Sequence, residues 1–303
     1  MRIFVLGGQG FIGQNLIRRL VNEGHQVIAL DKDGNKDIQG CRLIQLDFIE
    51  VDKYRELFKK IDIVYHLVST TTPSNSNNDI VYDIQTNVVG SIKLFDLCSK
   101  TKVKKIIFIS SGGTVYGIPE VTPVPENHPT NPINSYGICK LMIEKYLYMY
   151  NYLHGLDYQI LRVSNPYGPF HTGAQQGAIN VFLSKVLKGE TIEIWGDGTV
   201  CRDYIYIDDL INALYIVSQK ETDEKILNIG SGKGTTLNEL LSIIKKVTGS
   251  NLKVEYQEPR KIDTPVSILD ITKAIKSLNW KPGVSLEEGI RYTWEWLKVS
   301  NSD

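Results

Sequence analysis

Short runs of β-branched and aromatic residues alternate with longer amphipathic stretches along the first half of the chain. The short runs lie at Arg2–Leu6, Gln26–Leu30, Arg42–Leu46, Asp62–Leu67, Lys105–Ser110 and Leu156–Val163. Runs of this length and composition are typical of buried strands. The two longest predicted helices extend from about Asp79 to Ser99 and from Ser135 to Leu153. This alternation predicts an α/β fold built on a doubly wound parallel sheet with helices on both faces.

The pattern changes after Asn165, where glycines, prolines and aromatic residues become more frequent. They concentrate in Asn165–Pro169 and in Trp195–Gly198. Beyond these segments, three helices and two short strands are predicted at Thr236–Val247, Ile271–Leu278, Leu286–Leu297, Ile192–Ile194 and Leu252–Tyr256. We therefore expect a smaller second lobe, packed against the carboxyl edge of the parallel sheet.

Composition narrows the class of protein. The 303 residues are 42% hydrophobic and 22% charged, which is typical of a globular protein in water. The 34 basic and 34 acidic residues cancel, so no surface for nucleic acid or membrane is expected. The four cysteines show no C-x-x-C spacing, which predicts reduced thiols in a cytoplasmic protein and no metal site. No signal peptide and no membrane span are predicted, because glycines interrupt the first apolar run and no apolar run reaches about 18 residues.

A glycine pattern, Gly7-x-x-Gly10-x-x-Gly13, lies between the first predicted strand and the first predicted helix. In this setting the glycines allow a tight turn, a close approach of a pyrophosphate and close packing of helix on strand. Asp31 ends the second predicted strand, where its carboxylate can bind a ribose and repel a 2′-phosphate. The pattern predicts a dinucleotide site that prefers NAD to NADP, although Lys32 weakens that preference. The alternative is a glycine-rich turn beside a solvated aspartate.

Further residues that could contact the cofactor lie at the start of the first predicted helix, after later predicted strands or within a later helix. They are Phe11, Ile12, Asp47, Phe48, Leu67, Asn87 and Ser110. Asp47 follows the third predicted strand and can either accept a hydrogen bond from an adenine amino group or cap the end of the strand. Asn87 lies within a predicted helix and can either hold the loop of the fifth strand or face solvent.

Tyr136 and Lys140 lie four residues apart, and therefore one turn apart on one face of a predicted helix. A lysine cation beside a tyrosine favours the phenolate and lowers the phenol pKa from about 10 toward neutrality. Such a phenolate is a general base for a hydroxyl proton. The alternative is an ordinary surface tyrosine beside a lysine.

Taken together, these motifs resemble the extended short-chain dehydrogenase/reductase family. The closest match is to its NAD-dependent sugar-nucleotide epimerases, typified by UDP-glucose 4-epimerase. The resemblance is carried by the glycine pattern, Asp31, Ser110–Gly117, Tyr136, Lys140, Asn165–Gly168, Arg202–Ile205, Arg260 and Asp263. It implies a Rossmann sheet at residues 1–164, with a return segment at about 200–230, and a sugar-nucleotide-binding lobe at 165–199 and 231–303.

The resemblance also implies catalytic roles. Tyr136 would be the base, and Lys140 would bind the nicotinamide ribose and hold the phenolate, helped by the charge of the nicotinamide. Gly112 stands where the family usually has the hydroxyl that bridges substrate and tyrosine, so Ser111 is our first choice for this role and Thr114 the second. Family 4,6-dehydratases carry an acidic pair just after that hydroxyl. This chain has Gly113 and Thr114 there, which argues against a dehydratase.

Residues for the sugar nucleotide follow in the same way. The family positions that clamp the diphosphate are occupied by Arg202 and Arg260, and Asn165 would donate to the same group. Asp263 matches a residue that contacts the nucleotide ribose, and Ser267 would leave room for an N-acetyl group at carbon 2 of the sugar. For either arginine alone the alternative is a surface salt bridge, and for Ser267 it is an exposed loop.

The resemblance implies epimerisation at carbon 4 of a UDP-hexose, either the glucose/galactose or the N-acetylhexosamine pair, through a transient 4-keto sugar. The alternatives are an NAD(P)-dependent 4-ketoreductase or dehydrogenase and a non-catalytic NAD-binding scaffold. The two long helices match those of a four-helix dimer interface in the family, and the second is rich in tyrosine, leucine and methionine. We therefore expect a homodimer. The alternative is burial of these helices under the second lobe.

Overall fold

The centre of the protein is a parallel sheet whose strands alternate along the chain with helices. The structure is a computed structural model that describes residues 1–32, 34, 38–171, 177–260 and 264–300. Within these residues the strands are β1 (Arg2–Leu6), β2 (Gln26–Asp31), β3 (Cys41–Gln45), β4 (Ile63–His66), β5 (Lys105–Ser111), β6 (Asp157–Val163), β7 (Asn165–Tyr167), β8 (Ile192–Trp195), β9 (Cys201–Tyr206), β10 (Ile226–Ile229), β11 (Gly234–Thr236), β12 (Val254–Gln257) and β13 (Val266–Ser267).

Helices cover both faces of this sheet and build much of the second lobe. In the same described residues the α-helices are α1 (Phe11–Asn22), α2 (Arg55–Phe58), α3 (Ile80–Asp83), α4 (Gly90–Thr101), α5 (Ser135–His154), α6 (Ala178–Lys188), α7 (Ile207–Gln219), α8 (Leu237–Thr248), α9 (Thr272–Leu278) and α10 (Leu286–Ser300). Two 3₁₀ segments lie at Phe48–Tyr54 and Ser76–Asn78. No helix in the described part of the chain is long and apolar enough to cross a membrane.

The order of the central strands creates a crevice. The sheet runs β10-β6-β5-β4-β1-β2-β3, and every neighbouring pair is parallel. The chain builds outward from β1 through β2 to β3, and then continues on the other side of β1 with β4. In such a sheet, ligands bind outside the carboxyl ends of the strands at the point where the order reverses. The predicted doubly wound α/β fold is confirmed.

Successive side chains of each strand pack alternately into two separate hydrophobic cores, one on each face of the sheet. In β1, Phe4 and Leu6 point into the core beneath α4 and α5, whereas Ile3 and Val5 point into the core that α1 and α7 cover. All four side chains are fully buried. Because successive residues of a strand face opposite sides, a run without polar residues is what a strand covered on both faces requires.

Of the short strands that build the second lobe, the sequence pattern predicts β8 and β12 but not β7, β9, β11 or β13. β9 pairs with β7 and β13 in parallel and with β11 antiparallel, while β8 and β12 form a separate parallel pair. Between these strands the chain crosses back, and β10 joins the central sheet beside β6. The division of the chain at residue 164 remains a prediction.

The first long helix differs from the prediction in one respect. Instead of one regular helix from Asp79 to Ser99, α3 leads into a π-helical turn at Ile84–Val89 and then into α4, which ends at Thr101. We call Ile84–Val89 the π turn. It contains Asn87. π-Helical turns insert one extra residue and change the direction of the following side chains, and they are frequent at functional sites.

The close packing of α1 on β1 gives a first testable prediction. A Cβ atom added at Gly13 would lie 2.1 Å from the carbonyl oxygen of Gly7 and 2.8 Å from Cα of Gly8. Although alanine favours helices, Gly13→Ala should therefore lower the free energy of unfolding by at least about 1–3 kcal/mol, the usual cost of overpacking. Gly113→Ala is the matched control, because no neighbouring heavy atom lies within 4 Å of the added Cβ. Equal urea midpoints for both variants would contradict this account.

Candidate active site

A cleft of about 610 Å³ opens at the carboxyl ends of β1, β4, β5 and β6. It collects candidate residues from both halves of the chain. The predicted site residues that line it are Gly7, Gly10, Phe11, Ile12, Gly13, Leu67, Ser110, Ser111, Thr114, Tyr136, Lys140, Asn165 and Arg202. The structure thus brings the glycine turn, the Tyr–Lys pair and two of the substrate candidates to one place.

Other candidates do not line this cleft. They are Asp31, Lys32, Asp47, Phe48, Asn87, Arg260 and Ser267. Asp263 lies outside the residues that the structure describes. Within the described residues, no group of three or more His, Cys, Asp or Glu side chains could hold a metal ion.

The glycine turn has the features that a pyrophosphate needs. Gly7 has φ of +83°, a left-handed conformation that favours glycine, and its carbonyl oxygen leaves no room for a Cβ atom at Gly13. α1 begins after Gly10 without a side-chain cap, so its first N–H groups and its positive dipole end are available to an anion. Asp31 accepts a hydrogen bond from the Gln9 backbone N–H at 2.9 Å and therefore lies beside the turn. These residues fit a bound dinucleotide.

Lys32 is exposed, and its carbonyl oxygen accepts from Gln45 at 3.1 Å.

Three cofactor candidates have other contacts. Asp47 is exposed and accepts from the Ile49 backbone N–H at 3.1 Å, so it caps the start of the 3₁₀ segment Phe48–Tyr54 rather than the end of the strand. The side chain of Phe48 does not reach the cleft, because it is buried in the core with its ring centroid 5.0 Å from that of His66. Asn87 holds a loop, but it is the loop after β4 rather than that of the fifth strand.

The hydrogen bonds of Asn87 show that it holds the loop after β4. Its Oδ1 accepts from the Thr70 backbone N–H at 3.0 Å, and its Nδ2 donates to Thr70 Oγ1 at 2.7 Å. The same Nδ2 donates to Asp83 Oδ1 at 2.8 Å. The buried amide therefore acts through residues 69–72 of the cleft wall, which we call the β4 loop.

Tyr136 and Lys140 face the cleft from the first turns of α5. Asn134 caps this helix, since its Oδ1 accepts from the Gly137 backbone N–H at 2.8 Å. The Lys140 Nζ atom lies 5.5 Å from the centroid of the Tyr136 ring and donates to the Ile109 carbonyl oxygen at 3.0 Å. Lys140 is buried, so its ammonium is held against the carboxyl end of β5.

The protonation of this pair differs from the sequence-based expectation. Burial, together with the negative charge of Asp83, raises the pKa of Tyr136 to about 12. Burial lowers the pKa of Lys140 to about 8, although Asp83, Cys139 and Glu144 oppose this shift. Lys140 therefore does not bring the phenol toward neutrality in the protein without its cofactor. The positive charge of the nicotinamide, which the resemblance also implies, is the second contribution that would favour the phenolate.

Asp83 is the group that the sequence analysis missed. Its side chain is fully buried beside the Tyr–Lys pair, and it accepts a hydrogen bond from Ser135 Oγ at 2.6 Å. The spacing Asp83–Asn87 could have indicated two polar side chains on one helical face. It could not have shown that this face is buried against the start of α5.

The three hydroxyl groups after β5 have different environments. Ser110 Oγ donates to Glu144 Oε1 at 2.5 Å, and Glu144 forms a buried salt bridge with Arg162 at 2.6 Å. The hydroxyl of Ser110 therefore donates its proton to the carboxylate of this ion pair and not to a ligand in the cleft. Ser111 and Thr114 both line the cleft, and Thr114 Oγ1 is buried without a hydrogen-bond partner in the described structure. A buried hydroxyl without a partner calls for an explanation, and a role at the active site would be one.

The substrate candidates divide between the cleft and the surface. Arg202 Nη1 donates to the Cys201 carbonyl oxygen at 3.0 Å, and Asn165 Nδ2 donates to that of Asp203 at 2.9 Å. Both side chains line the cleft. Arg260 instead is exposed, with its guanidinium 5.4 Å from the ring centroid of Trp195.

Ser267 is neither an exposed loop residue nor part of the cleft wall. It is 7% exposed and lies in β13, directly opposite Arg202 of β9. Its position can affect the cleft only through its neighbours in that small sheet.

A sheet of this order, with a glycine turn and a Tyr–Lys pair at its carboxyl edge, defines a dinucleotide-dependent α/β enzyme. Residues 3–230 match the family model described as the NAD dependent epimerase/dehydratase family. The chain belongs to this family. The resemblance to extended short-chain dehydrogenase/reductase epimerases is confirmed, and with it an NAD-dependent enzyme.

Similar proteins span the whole chain. A provisionally named UDP-glucose 4-epimerase of Methanocaldococcus jannaschii is 38% identical over 305 residues, 99% of each chain. The crystal structure of UDP-glucose 4-epimerase from Thermotoga maritima with UDP-glucose is 36% identical, with a TM-score of 0.94 over 99% of this chain and 100% of that one. A UDP-N-acetylglucosamine 4-epimerase from Methanobrevibacter ruminantium, in complex with UDP-N-acetylmuramic acid, is 30% identical, with a TM-score of 0.92 over 99% and 98%.

The buried ammonium gives a prediction about stability. The pKa of Lys140 is about 8 in the folded chain and near 10.5 in the unfolded chain, so the folded state is penalised below pH 8 and the penalty disappears as pH rises to 10.5. Lys140→Met should therefore raise the free energy of unfolding at pH 7 by on the order of 1–2 kcal/mol, after allowing for the lost hydrogen bond to Ile109.

The measurement is urea unfolding from pH 7 to pH 10.5. The advantage of the Met variant should be largest below pH 8 and should vanish near pH 10.5. Lys145→Met, at an exposed position of α5, is the control and should show no such pH dependence. A Lys140→Met protein that is less stable than the wild type at pH 7 would contradict the burial cost.

Proposed function

We propose that the protein inverts the configuration at carbon 4 of a UDP-hexose through a transient 4-keto sugar, with NAD regenerated in each cycle. The observation that carries this proposal is the placement of Tyr136, Lys140 and Arg202 in the same cleft as the glycine turn. The epimerase names of relatives that match almost the full length support it. A 4-ketoreductase or dehydrogenase would use the same residues, but would consume or produce NADH stoichiometrically.

In the proposed mechanism Tyr136 removes the proton of the 4-hydroxyl group and later returns one. NAD, when bound, supplies a hydride acceptor at carbon 4 and, in its oxidised form, a positive charge. Lys140 holds the ribose of the cofactor and adds its own positive charge beside the phenol. Arg202 and Asn165 would retain the diphosphate while the flat keto sugar turns over, so that its opposite face would be presented to the cofactor for reduction.

The structure favours Thr114 over Ser111 as the bridging hydroxyl of this mechanism. Thr114 Oγ1 is buried, lines the cleft and has no partner in the described residues. Moreover, a Cβ atom added at Gly137, next to Tyr136, would lie 2.9 Å from the Thr114 carbonyl oxygen, so this part of the loop is close to the start of α5. Our preference therefore moves from Ser111 to Thr114.

The sugar is proposed to include the N-acetylhexosamine pair. Gly113 lines the cleft, and an added Cβ there meets no neighbouring heavy atom within 4 Å, so the wall leaves space beside the proposed hydroxyl. The relative from Methanobrevibacter ruminantium carries the name of such an epimerase. Arg260 and Ser267 stay in the proposal only as secondary contacts, since neither lines the cleft, and Asp263 stays as the resemblance implies it.

The first test of the function uses UDP-glucose, UDP-galactose and their N-acetyl counterparts. With NAD bound, proton NMR should show the carbon-4 epimer of at least one sugar pair, while absorbance at 340 nm shows no net NADH. Tyr136→Phe should lower kcat by about 10²–10⁴, the usual contribution of a positioned general base. Tyr292→Phe, an exposed tyrosine of α10, should leave turnover unchanged.

Two outcomes would overturn this proposal. Normal turnover by the Tyr136→Phe variant would remove the base from the mechanism. Formation of one NADH for each sugar converted would replace the epimerase with the dehydrogenase alternative.

The choice of bridging hydroxyl is tested by paired variants. Thr114→Val should lower kcat roughly 10–100-fold, whereas Ser111→Ala should change it less than about threefold, because a hydroxyl in the proton path contributes more than one beside it. Thr114→Ser keeps the hydroxyl and should recover most of the activity. If Ser111→Ala causes the larger loss, the assignment returns to Ser111.

We also propose a cytoplasmic homodimer. Exposed apolar side chains of α3, the π turn and α5 are available to a second copy, among them Val81 (64% exposed), Val89 (40%), Met149 (37%) and Leu153 (58%). The second lobe does not cover these side chains, so the alternative of burial beneath it is wrong. All four cysteines are free of disulfides, which supports a reducing compartment.

The dimer can be tested by light scattering after size exclusion. The 34.2 kDa chain should elute with about twice its mass. The double variant Val89→Glu/Met149→Glu should elute as a monomer, because two charges would be buried without partners. Ile118→Glu, at an apolar position 62% exposed but outside these helices, should remain dimeric. A monomeric wild type would contradict the proposal.

A further inference from the structure

A single buried carboxylate connects three parts of the cleft. Asp83 is fully buried, and its Oδ1 accepts from Thr71 Oγ1 at 2.6 Å and from Asn87 Nδ2 at 2.8 Å. Its Oδ2 accepts from Ser135 Oγ at 2.6 Å. The donors belong to the β4 loop, the π turn and the first turn of α5. One side chain therefore sets the relative position of three separate segments.

The segments tied in this way carry the reactive groups. Thr71 lines the cleft, and Ser135 immediately precedes Tyr136 in α5. The backbone N–H of Ser135 also donates to Asn77 Oδ1 at 2.9 Å, so the start of α5 is held on two sides. A shift of the Asp83 carboxylate would move the cleft wall and the catalytic tyrosine relative to each other.

The charge of Asp83 is not neutralised by a direct partner. Its hydrogen bonds from the described residues come from two hydroxyls, an amide and the thiol of Cys139, whereas the other buried carboxylate nearby, Glu144, is paired with Arg162 at 2.6 Å. The titratable groups that face Asp83 are Tyr136, Cys139 and Lys140, all from α5. The β4 loop and the π turn contribute no titratable side chain to this contact.

We propose that Asp83 is a positioning residue for the reaction: it fixes Tyr136 against the cleft wall through its hydrogen bonds and acts on both Tyr136 and Lys140 through its charge. This inference rests on the proposed function, since it assumes that Tyr136 and Lys140 carry the proton transfer. Asp83 itself does not line the cleft.

The negative charge of Asp83 should affect the pH dependence of kcat in a way that the loss of a hydrogen bond alone would not. Asp83 raises the pKa of Tyr136, after the larger effect of burial, and it partly opposes the burial that lowers the pKa of Lys140. The active form needs Tyr136 without its proton and Lys140 with its proton. Removing the negative charge therefore lowers both pKa values and moves both limbs of the kcat profile to lower pH.

The experiment compares Asp83→Asn with Thr71→Val and Ser135→Ala in the NAD-loaded enzyme. All three should lower kcat about tenfold or more, with KM changed less than about threefold, because they disturb positioning rather than binding. Only Asp83→Asn should move both limbs, by about one pH unit toward acid. Asp83→Ser, which leaves room for a water, replaces the Asn variant if that protein does not fold.

A second readout does not depend on turnover. The absorbance of tyrosinate at 295 nm, taken as the difference from a Tyr136→Phe protein, should titrate at lower pH in Asp83→Asn than in wild type without NAD. Unmoved limbs and an unmoved tyrosinate titration would overturn the inference. If the wild type epimerises no UDP-hexose, the proposed function fails, and the tyrosinate titration still decides the effect of Asp83.

Discussion

The interaction on which the site depends is the burial of one ammonium group against the carboxyl end of β5. Lys140 donates to the Ile109 carbonyl oxygen at 3.0 Å and lies 5.5 Å from the ring centroid of Tyr136. Burying this ammonium lowers the stability of the fold, because burial disfavours the charged form. Its charge lies beside the phenol of Tyr136, which the same burial keeps protonated. Burial therefore favours the neutral form of both groups, whereas the charged form of either would favour the charged form of the other.

The fold provides the two conditions that this pair needs. α5 is capped by Asn134 and holds Tyr136 and Lys140 one turn apart, and the reversal of strand order opens a crevice in front of them. The small sheet of β7 and β9 adds Asn165 and Arg202 to the lining of the same cleft. The glycine turn completes the cleft at the amino end of α1, where an anion is favoured. These contributions come from distant parts of the sequence, and the site exists only after they have packed together.

Much of this arrangement could be predicted from sequence, because it depends on local patterns. The strands from Arg2 to Val163 were recognisable by their apolar character, and the glycine turn by its spacing within a strand–turn–helix context. The strands β7 and β13, only three and two residues long, carry too little pattern to be recognised. The role of Asp83 was hidden for another reason: its partners Thr71 and Ser135 lie 12 and 52 residues away, and only tertiary packing brings them together.

The sign of the tyrosine shift illustrates the same limit. Sequence spacing shows that Lys140 is near Tyr136, but it does not show how deeply the pair is buried or that Asp83 lies beside it. In the folded chain these two effects raise the pKa of Tyr136, and we expect the positive charge of bound NAD to favour the phenolate. Spectrophotometric titration of Tyr136 at 295 nm, with and without NAD, tests this claim most directly. The account predicts a pKa near 12 without NAD and a fall of several units when oxidised NAD binds. A value that stays near 12 in the NAD complex would contradict it.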